Sequence, residues 1–131
     1  MLKIVPVPAF QDNYIWILCG SRHAAVVDPG DAGPVREFLS RERLALCAIL
    51  ATHHHPDHVG GIAELVSEHR VPVFGPKAEP IPTVTDAVAE GDTVRVPELG
   101  ASFSVLDIPG HTRAHIAYYR PGILFCGDTL Q

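Results

Sequence analysis

Short apolar runs alternate with an amphipathic stretch in the first part of the chain. Residues 14–20 (YIWILCG) and 24–30 (AAVVDPG) are apolar runs that end in glycine, a pattern typical of strands closed by turns. Residues 33–43 carry apolar positions at helical spacing, and Pro34 suits the first turn of a helix. Residues 44–50 are uniformly apolar and short, which indicates a buried strand. The pattern therefore predicts strand–helix–strand units.

The pattern changes after a second predicted helix that begins at Ile62. A strand is predicted over 71–74, and residues 75–92 are predicted to be a surface loop because they are rich in proline and polar residues. Four further strands, without a helix between them, are predicted over 93–96, 103–110, 115–119 and 123–128. At 131 residues the chain is expected to form one domain, residues 1–131, with α/β units first and a β-meander second.

The segment ILATHHHPDHVGGI, residues 49–62, holds four of the eight histidines of the chain. Alternate side chains of an extended segment point the same way, so His53, His55 and Asp57 are expected to share one side, with His54 opposite. We call residues 53–60 the histidine loop. The loop follows a predicted buried strand, at the end where open α/β sheets usually bind ligands.

The residue types in this loop favour a metal site. Imidazole and carboxylate together suit Zn²⁺, Fe or Mn, whereas Ca²⁺ prefers oxygen ligands alone. His58 is expected at the entry to the next helix, where Gly60 and Gly61 permit close backbone approach. The loop has more ligand-type side chains than one tetrahedral ion can use, which indicates two ions.

Two downstream turns carry further candidate ligands. His111 in DIPGHT (107–112) and Asp128 in LFCGDT (124–129) each follow a predicted strand, where a polar side chain can face a site built by the histidine loop. Asp28 lies between an apolar run and Pro29. It either orients a residue of the histidine loop by a hydrogen bond or caps its own turn. His115 either supports the site or is an ordinary strand residue. Thr52 and Thr112 are candidates for hydrogen bonding to these loops.

Composition narrows the functional classes. A formal net charge of −5 does not suggest a nucleic-acid or anionic-membrane surface. The chain has no apolar run near the roughly 20 residues that span a bilayer, and its start lacks the apolar core of a secretory signal. Cys19, Cys47 and Cys126 lie far apart without a C-x-x-C pair, so they are expected to be buried reduced thiols, which points to a cytoplasmic protein.

In order along the chain, VVDPGDAGPV, ILATHHHPDHVGGI, DIPGHT and LFCGDTL resemble glyoxalase II, the hydroxyacylglutathione hydrolases of the metallo-β-lactamase superfamily. The resemblance implies an α+β fold, an αββα sandwich with a binuclear metal centre at one edge of its sheets. It also implies hydrolysis of S-D-lactoylglutathione or a related glutathione thioester by a metal-bound hydroxide that Asp57 assists, as in methylglyoxal detoxification. Zinc is the expected metal, with Fe or Mn as alternatives. The implied ligands are His53, His55 and His111 for the first ion, Asp57 and His58 for the second, and Asp128 as the bridge.

The sequence departs from this family in two respects. Ala114 replaces the glycine that usually precedes the second histidine of the G-H-T-x-G-H pattern. No residue matches the family's last metal-ligating histidine or its helical domain, so the fold is expected to be incomplete at its C-terminus and the second metal site to be weaker or empty. No substrate-binding residue can be nominated. The apolar strands 115–119 and 123–127 would lack cover, which predicts self-association.

Two other functions stay open. The chain could be a catalytically silent metal-binding module, either a fragment or a subunit. It could also resemble a glutathione persulfide dioxygenase that holds a single iron with His53, His111 and Asp128, because two histidines and one carboxylate suit such chemistry.

Overall fold

The computed structural model describes residues 3–9, 13–52, 61–77, 83–108, 116–126 and 129–130. Within these ranges the chain forms eleven strands and two α-helices, with a 3₁₀ turn at Pro97–Leu99. The helices are α1 (Ala32–Glu42) and α2 (Ile62–Glu68). The strands are β1 (Lys3–Ala9), β2 (Asn13–Cys19), β3 (His23–Val27), β4 (Ala45–Leu50), β5 (Val73–Pro76), β6 (Asp86–Val88), β7 (Thr93–Val96), β8 (Ala101–Asp107), β9 (Ile116–Arg120), β10 (Ile123–Cys126) and β11 (Thr129–Leu130).

The strands form two sheets. The first has the order β1-β2-β3-β4-β5-β6, antiparallel from β1 to β3 and parallel from β3 to β6. The second has the order β11-β10-β9-β8-β7 and is antiparallel throughout. The carboxyl ends of β3 and β4 meet at one edge of the first sheet, because parallel strands run in the same direction.

Two apolar cores order the layers. Helices α1 and α2 bury Phe38 and Leu65 against one face of the first sheet. The other face packs on the second sheet through residues such as Leu50, Phe103 and Phe125. The Asp31 side chain accepts a hydrogen bond from Gly33 N at 3.0 Å and so caps the start of α1. The described layers are therefore helices, sheet and sheet.

Three strands lie where the pattern did not predict them: β1, β6 and β11. The two residues of β11 lie at the predicted turn and pair through their backbone with β10. Strand β1 contains Pro6 and Pro8, yet it lies at the edge of its sheet and pairs only with β2, a position that tolerates proline. Strand β6 lies inside residues 75–92, so the prediction of a loop was wrong there. Its three residues pair through their backbone with β5, and such a short edge strand needs no apolar run.

The outer face of the second sheet carries the large apolar side chains that are most exposed among the described residues. Leu106 is 38% exposed and Tyr119 is 43% exposed. The described helices pack on the other sheet, so neither covers this face. Self-association through it stays a prediction. In the described part of the chain, no helix is long and apolar enough to cross a membrane.

Candidate metal centre

Asp28 holds the residue that precedes the histidine loop. Its Oδ1 accepts a hydrogen bond from Thr52 N at 2.8 Å, and its Oδ2 accepts one from the Thr52 hydroxyl at 2.7 Å. Both residues are buried, at 5% and 0% exposure. Asp28 has a φ of 52°, in the left-handed region that aspartate tolerates better than most residues. The strand ends of β3 and β4 are thus joined by side-chain as well as backbone bonds.

The same turn contacts Gly61, the residue that follows the loop. Gly61 N donates to Pro29 O at 2.8 Å. A Cβ atom at Gly61 would lie 2.6 Å from both Pro29 O and Ala32 N, so no larger side chain fits there. The backbone angles do not require glycine, because φ is −92°. The turn after β3 therefore fixes both residues that flank the histidine loop.

The start of β9, in the second sheet, contacts the residues that precede the loop. Ile116 N donates to Thr52 O at 3.0 Å, and the Tyr118 hydroxyl donates to Ala51 O at 2.6 Å. Strand β9 follows directly on the sequence 109–115, which contains His111. Ile116, the residue after that segment, is thus hydrogen-bonded to Thr52, the residue before the histidine loop.

The segment that contains Asp128 leaves the second sheet at the same edge. Strands β9 and β10 are antiparallel, with Phe125 opposite Tyr118, so the end of β10 lies beside the beginning of β9. Cys126 pairs with Thr129 in the hairpin to β11, and residues 127–128 lie between them. The described residues Thr52, Ile116 and Cys126, each next to a segment with predicted ligands, therefore lie at one edge of the molecule.

The predicted ligands themselves lie outside the described residues. This applies to His53, His55, Asp57, His58, His111 and Asp128, and also to His54, Thr112, Ala114 and His115. Among the described residues, no three His, Cys, Asp or Glu side chains form a group that could hold a metal ion. Asp28 is described, and its bonds to Thr52 place it at the base of the loop. Its predicted effect on a metal ligand stays a prediction.

The donor set fits a divalent transition metal. The three segments supply imidazoles and carboxylates, which are ligands of Zn²⁺, Fe and Mn. Both Asp28 oxygens already accept hydrogen bonds from Thr52, which suits a role in support of the loop. Cys19 and Cys47 are buried free thiols, and burial raises the pKa of Cys47 to about 11, so neither suits a reactive thiolate.

Sequence reasoning missed Tyr118. In the run HIAYY it was assigned only to an apolar strand, and its partner Ala51 lies 67 residues away. A signal was present, because a tyrosine at an inward-facing strand position needs a partner for its hydroxyl, whereas phenylalanine does not. The identity of that partner follows only from the packing of the two sheets.

Comparison with known proteins decides the family. Residues 8–131 match the family model described as the metallo-beta-lactamase superfamily. The chain belongs to this superfamily. The superfamily member is 55% identical over 130 residues to a Nitrosomonas eutropha protein named hydroxyacylglutathione hydrolase, covering 99% of this chain and 51% of that relative. The chain spans about half the length of the curated relatives it matches. The resemblance to glyoxalase II is confirmed.

Two solved structures share the fold. ETHE1 from Myxococcus xanthus superposes with a TM-score of 0.75 at 24% identity, over 91% of this chain and 53% of that protein. The B3 metallo-beta-lactamase BLEG-1 superposes with a TM-score of 0.71 at 26% identity, over 92% of this chain and 68% of that enzyme. The α+β metallo-β-lactamase fold predicted from the sequence is confirmed.

Proposed function

We propose that this superfamily member is a metal-dependent hydrolase of the glyoxalase II type. Its proposed substrate is the thioester of S-D-lactoylglutathione or a related hydroxyacylglutathione. One observation carries the proposal. Described residues that adjoin the histidine loop, the segment 109–115 and the segment 127–128 lie at one edge of the molecule. The 55% identity to a protein named hydroxyacylglutathione hydrolase supports the substrate class.

The proposed ligands come from these three segments. His53, His55 and His111 would hold one ion, and Asp57 and His58 would hold a second. Asp128 would bridge the two. Zinc is the metal that we propose, because a mixed set of imidazoles and carboxylates suits it and it performs hydrolysis without redox chemistry.

The chemistry follows from charge and position. Divalent cations bound here would lower the pKa of water and offset the charge that develops on the thioester carbonyl oxygen. Asp57 would assist by accepting a hydrogen bond from the attacking water. Asp28 and Thr52 would keep the start of the histidine loop in place, since a ligand displaced by about 1 Å can cost a hundredfold in rate.

A thioesterase assay tests this proposal. The protein is assayed with S-D-lactoylglutathione after zinc loading and again after chelator treatment. Turnover should require the metal and should fall at least about a hundredfold in His55→Ala, as expected when a metal ligand or its supporting shell is lost. His69→Ala is the matched control, because His69 lies at the end of α2. Its activity should be unchanged.

Two results would contradict the proposal. Metal binding without thioester turnover would identify the silent binding module. One iron per chain, with oxygen consumption on glutathione persulfide, would identify the dioxygenase chemistry instead.

A further inference from the structure

Tyr118 is a buried tyrosine whose hydroxyl has a defined partner. The side chain is 0% exposed, and the hydroxyl donates to Ala51 O at 2.6 Å. A hydroxyl buried without a hydrogen bond is costly, whereas a phenylalanine would fill the same space without that requirement. The contribution of the hydroxyl therefore lies in this one bond and can be separated from the packing of the ring.

The neighbouring strands fix the ring. Tyr118 lies directly opposite Val105 of β8 on one side and opposite Phe125 of β10 on the other. Both neighbours are buried in the core between the sheets. Because strands flank β9 on both sides, the direction in which the Tyr118 hydroxyl points is set by the second sheet.

The acceptor belongs to the other sheet. Ala51 N donates to Phe74 O at 2.8 Å and continues the pairing of β4 with β5, while the Ala51 carbonyl accepts from Tyr118. The next carbonyl, of Thr52, accepts from Ile116 N. Two consecutive carbonyls at the end of β4 are thus bonded to one strand of the second sheet.

These bonds lie between two segments with proposed ligands. The histidine loop begins one residue after Thr52, and the segment with His111 ends one residue before Ile116. We propose that Tyr118 is a positioning residue for the metal centre, because its hydroxyl holds Ala51, two residues before the histidine loop, against β9, the strand that follows the segment with His111. This inference rests on the proposed function.

The protonation of the hydroxyl agrees with this role. Burial, together with the nearby negative charge of Asp28, raises the pKa of Tyr118 well above its ordinary range. The group therefore stays protonated and continues to donate to Ala51 O throughout the pH range in which an imidazole-ligated metal site is formed.

The test compares metal binding in matched variants of the protein. Tyr118→Phe removes the buried hydroxyl, and Tyr119→Phe removes the same atom from its neighbour, which is 43% exposed. Val105→Ala truncates the residue opposite Tyr118 without touching a polar group. Zinc affinity is measured by competition with a chromogenic chelator, and the ligand field is followed in the visible spectrum of the Co²⁺-substituted protein.

The expected result is specific to the buried hydroxyl. Tyr118→Phe should bind zinc roughly tenfold more weakly, as when an outer partner of a metal ligand is removed, and should shift the Co²⁺ band. Tyr119→Phe should match the unmodified protein. Val105→Ala should unfold at a lower temperature and keep its zinc affinity within about twofold, since it lacks the hydrogen-bonding role that changes metal affinity.

Each other outcome counts against the inference. Equal zinc affinity and Co²⁺ spectra in Tyr118→Phe and Tyr119→Phe would overturn it while leaving the proposed function intact. A comparable loss of affinity in Val105→Ala would assign the effect to general stability. A Tyr118→Phe variant that does not fold would make the hydroxyl a requirement of the whole fold. An unmodified protein that binds no metal would overturn the proposed function and this inference together.

Discussion

Two polar clusters link the same parts of the molecule in different surroundings. At the base of the histidine loop, Asp28 binds Thr52, and both are buried. On the surface, Arg36 of α1 pairs with Glu64 and Glu68 of α2, and the Arg36 and Glu64 side chains are 45% and 59% exposed. The buried cluster joins the turn after β3 to Thr52, which precedes the histidine loop. The surface cluster joins α1 to α2, the helix that follows the loop.

The difference lies in what happens when a partner is removed. Water replaces a lost partner at the surface, so exposed ion pairs contribute little. At the buried base, a lost acceptor leaves donors without water, and the free energy of unfolding falls by the cost of their desolvation. The buried cluster therefore contributes more to stability at Thr52, the residue before the histidine loop, and the surface pairs add only slight support to the helix layer.

Asp28→Ala should have the largest effect on stability. It removes the acceptor for both Thr52 donors, and two buried unsatisfied groups should lower the free energy of unfolding by about 3 kcal/mol. Asp28→Asn is the control, because asparagine tolerates the left-handed backbone and retains one acceptor oxygen. It should lose clearly less. Urea denaturation measures both, and equal losses would show that a single retained acceptor oxygen does not account for the stabilisation.

Gly61→Ala should follow. The added Cβ would meet backbone atoms of Pro29 and Ala32 at 2.6 Å, and such overpacking should cost about 2 kcal/mol and displace the end of the histidine loop. Gly33→Ala in α1 is the matched control, since the nearest atom would be 3.5 Å away. The control should be as stable as the unmodified protein or slightly more stable. Thermal unfolding that is equal in the two variants would refute the close approach at Gly61.

Thr52→Val should have a smaller effect. It keeps the backbone bond to Asp28 Oδ1 and removes the hydroxyl bond to Oδ2, so about 1 kcal/mol of stability should be lost. Thr52→Ser retains the hydroxyl and should restore most of the loss. A valine variant as stable as the serine variant would show that the backbone bond alone is sufficient.

The surface cluster should give the smallest effect, and one that depends on pH. The Arg36 hydrogen bond lowers the pKa of Glu68 from its ordinary value of 4.5. Because the folded pKa lies below the unfolded one, the pair stabilises the protein above pH 4.5 and loses its effect as the pH falls through the folded pKa. The difference in unfolding midpoint between the unmodified protein and Glu68→Gln should therefore be small at pH 7 and absent in acid.

High salt should also reduce this difference, because the pair is exposed. Glu37→Gln, which changes an exposed glutamate of α1, controls for the change in net charge and should leave the midpoint unchanged. If the effect of Glu68→Gln persisted in acid and at high salt, the surface pair would contribute to stability as a buried cluster does, which contradicts its exposure.

Much of the fold follows from local patterns. The helix predicted over 33–43 is α1, at Ala32–Glu42, and the uniformly apolar run 44–50 contains β4. The exceptions are β1, β6 and β11. They are edge strands whose stability depends on backbone pairing with a neighbour, and an apolar pattern is not needed for that. The sequence also does not show which strands pair in parallel, because strand order depends on contacts between distant residues.

The candidate site was only partly predictable. The ligand-type residues were visible as a cluster of histidines and as polar residues after strands. The hydrogen bonds at the base of the loop were not visible in the sequence, because their partners are far apart in it. Asp28 and Thr52 are 24 residues apart, and Ala51 and Tyr118 are 67 residues apart. Such bonds are set by the way in which the two sheets pack.

A zinc-edge anomalous scattering map from crystals of the zinc-loaded protein tests the central claim most directly. The account predicts a strong peak enclosed by the histidine loop, His111 and Asp128, at the edge where β4, β9 and β10 meet. A well-ordered crystal with no peak at that edge, or with zinc held only by residues elsewhere, would contradict it.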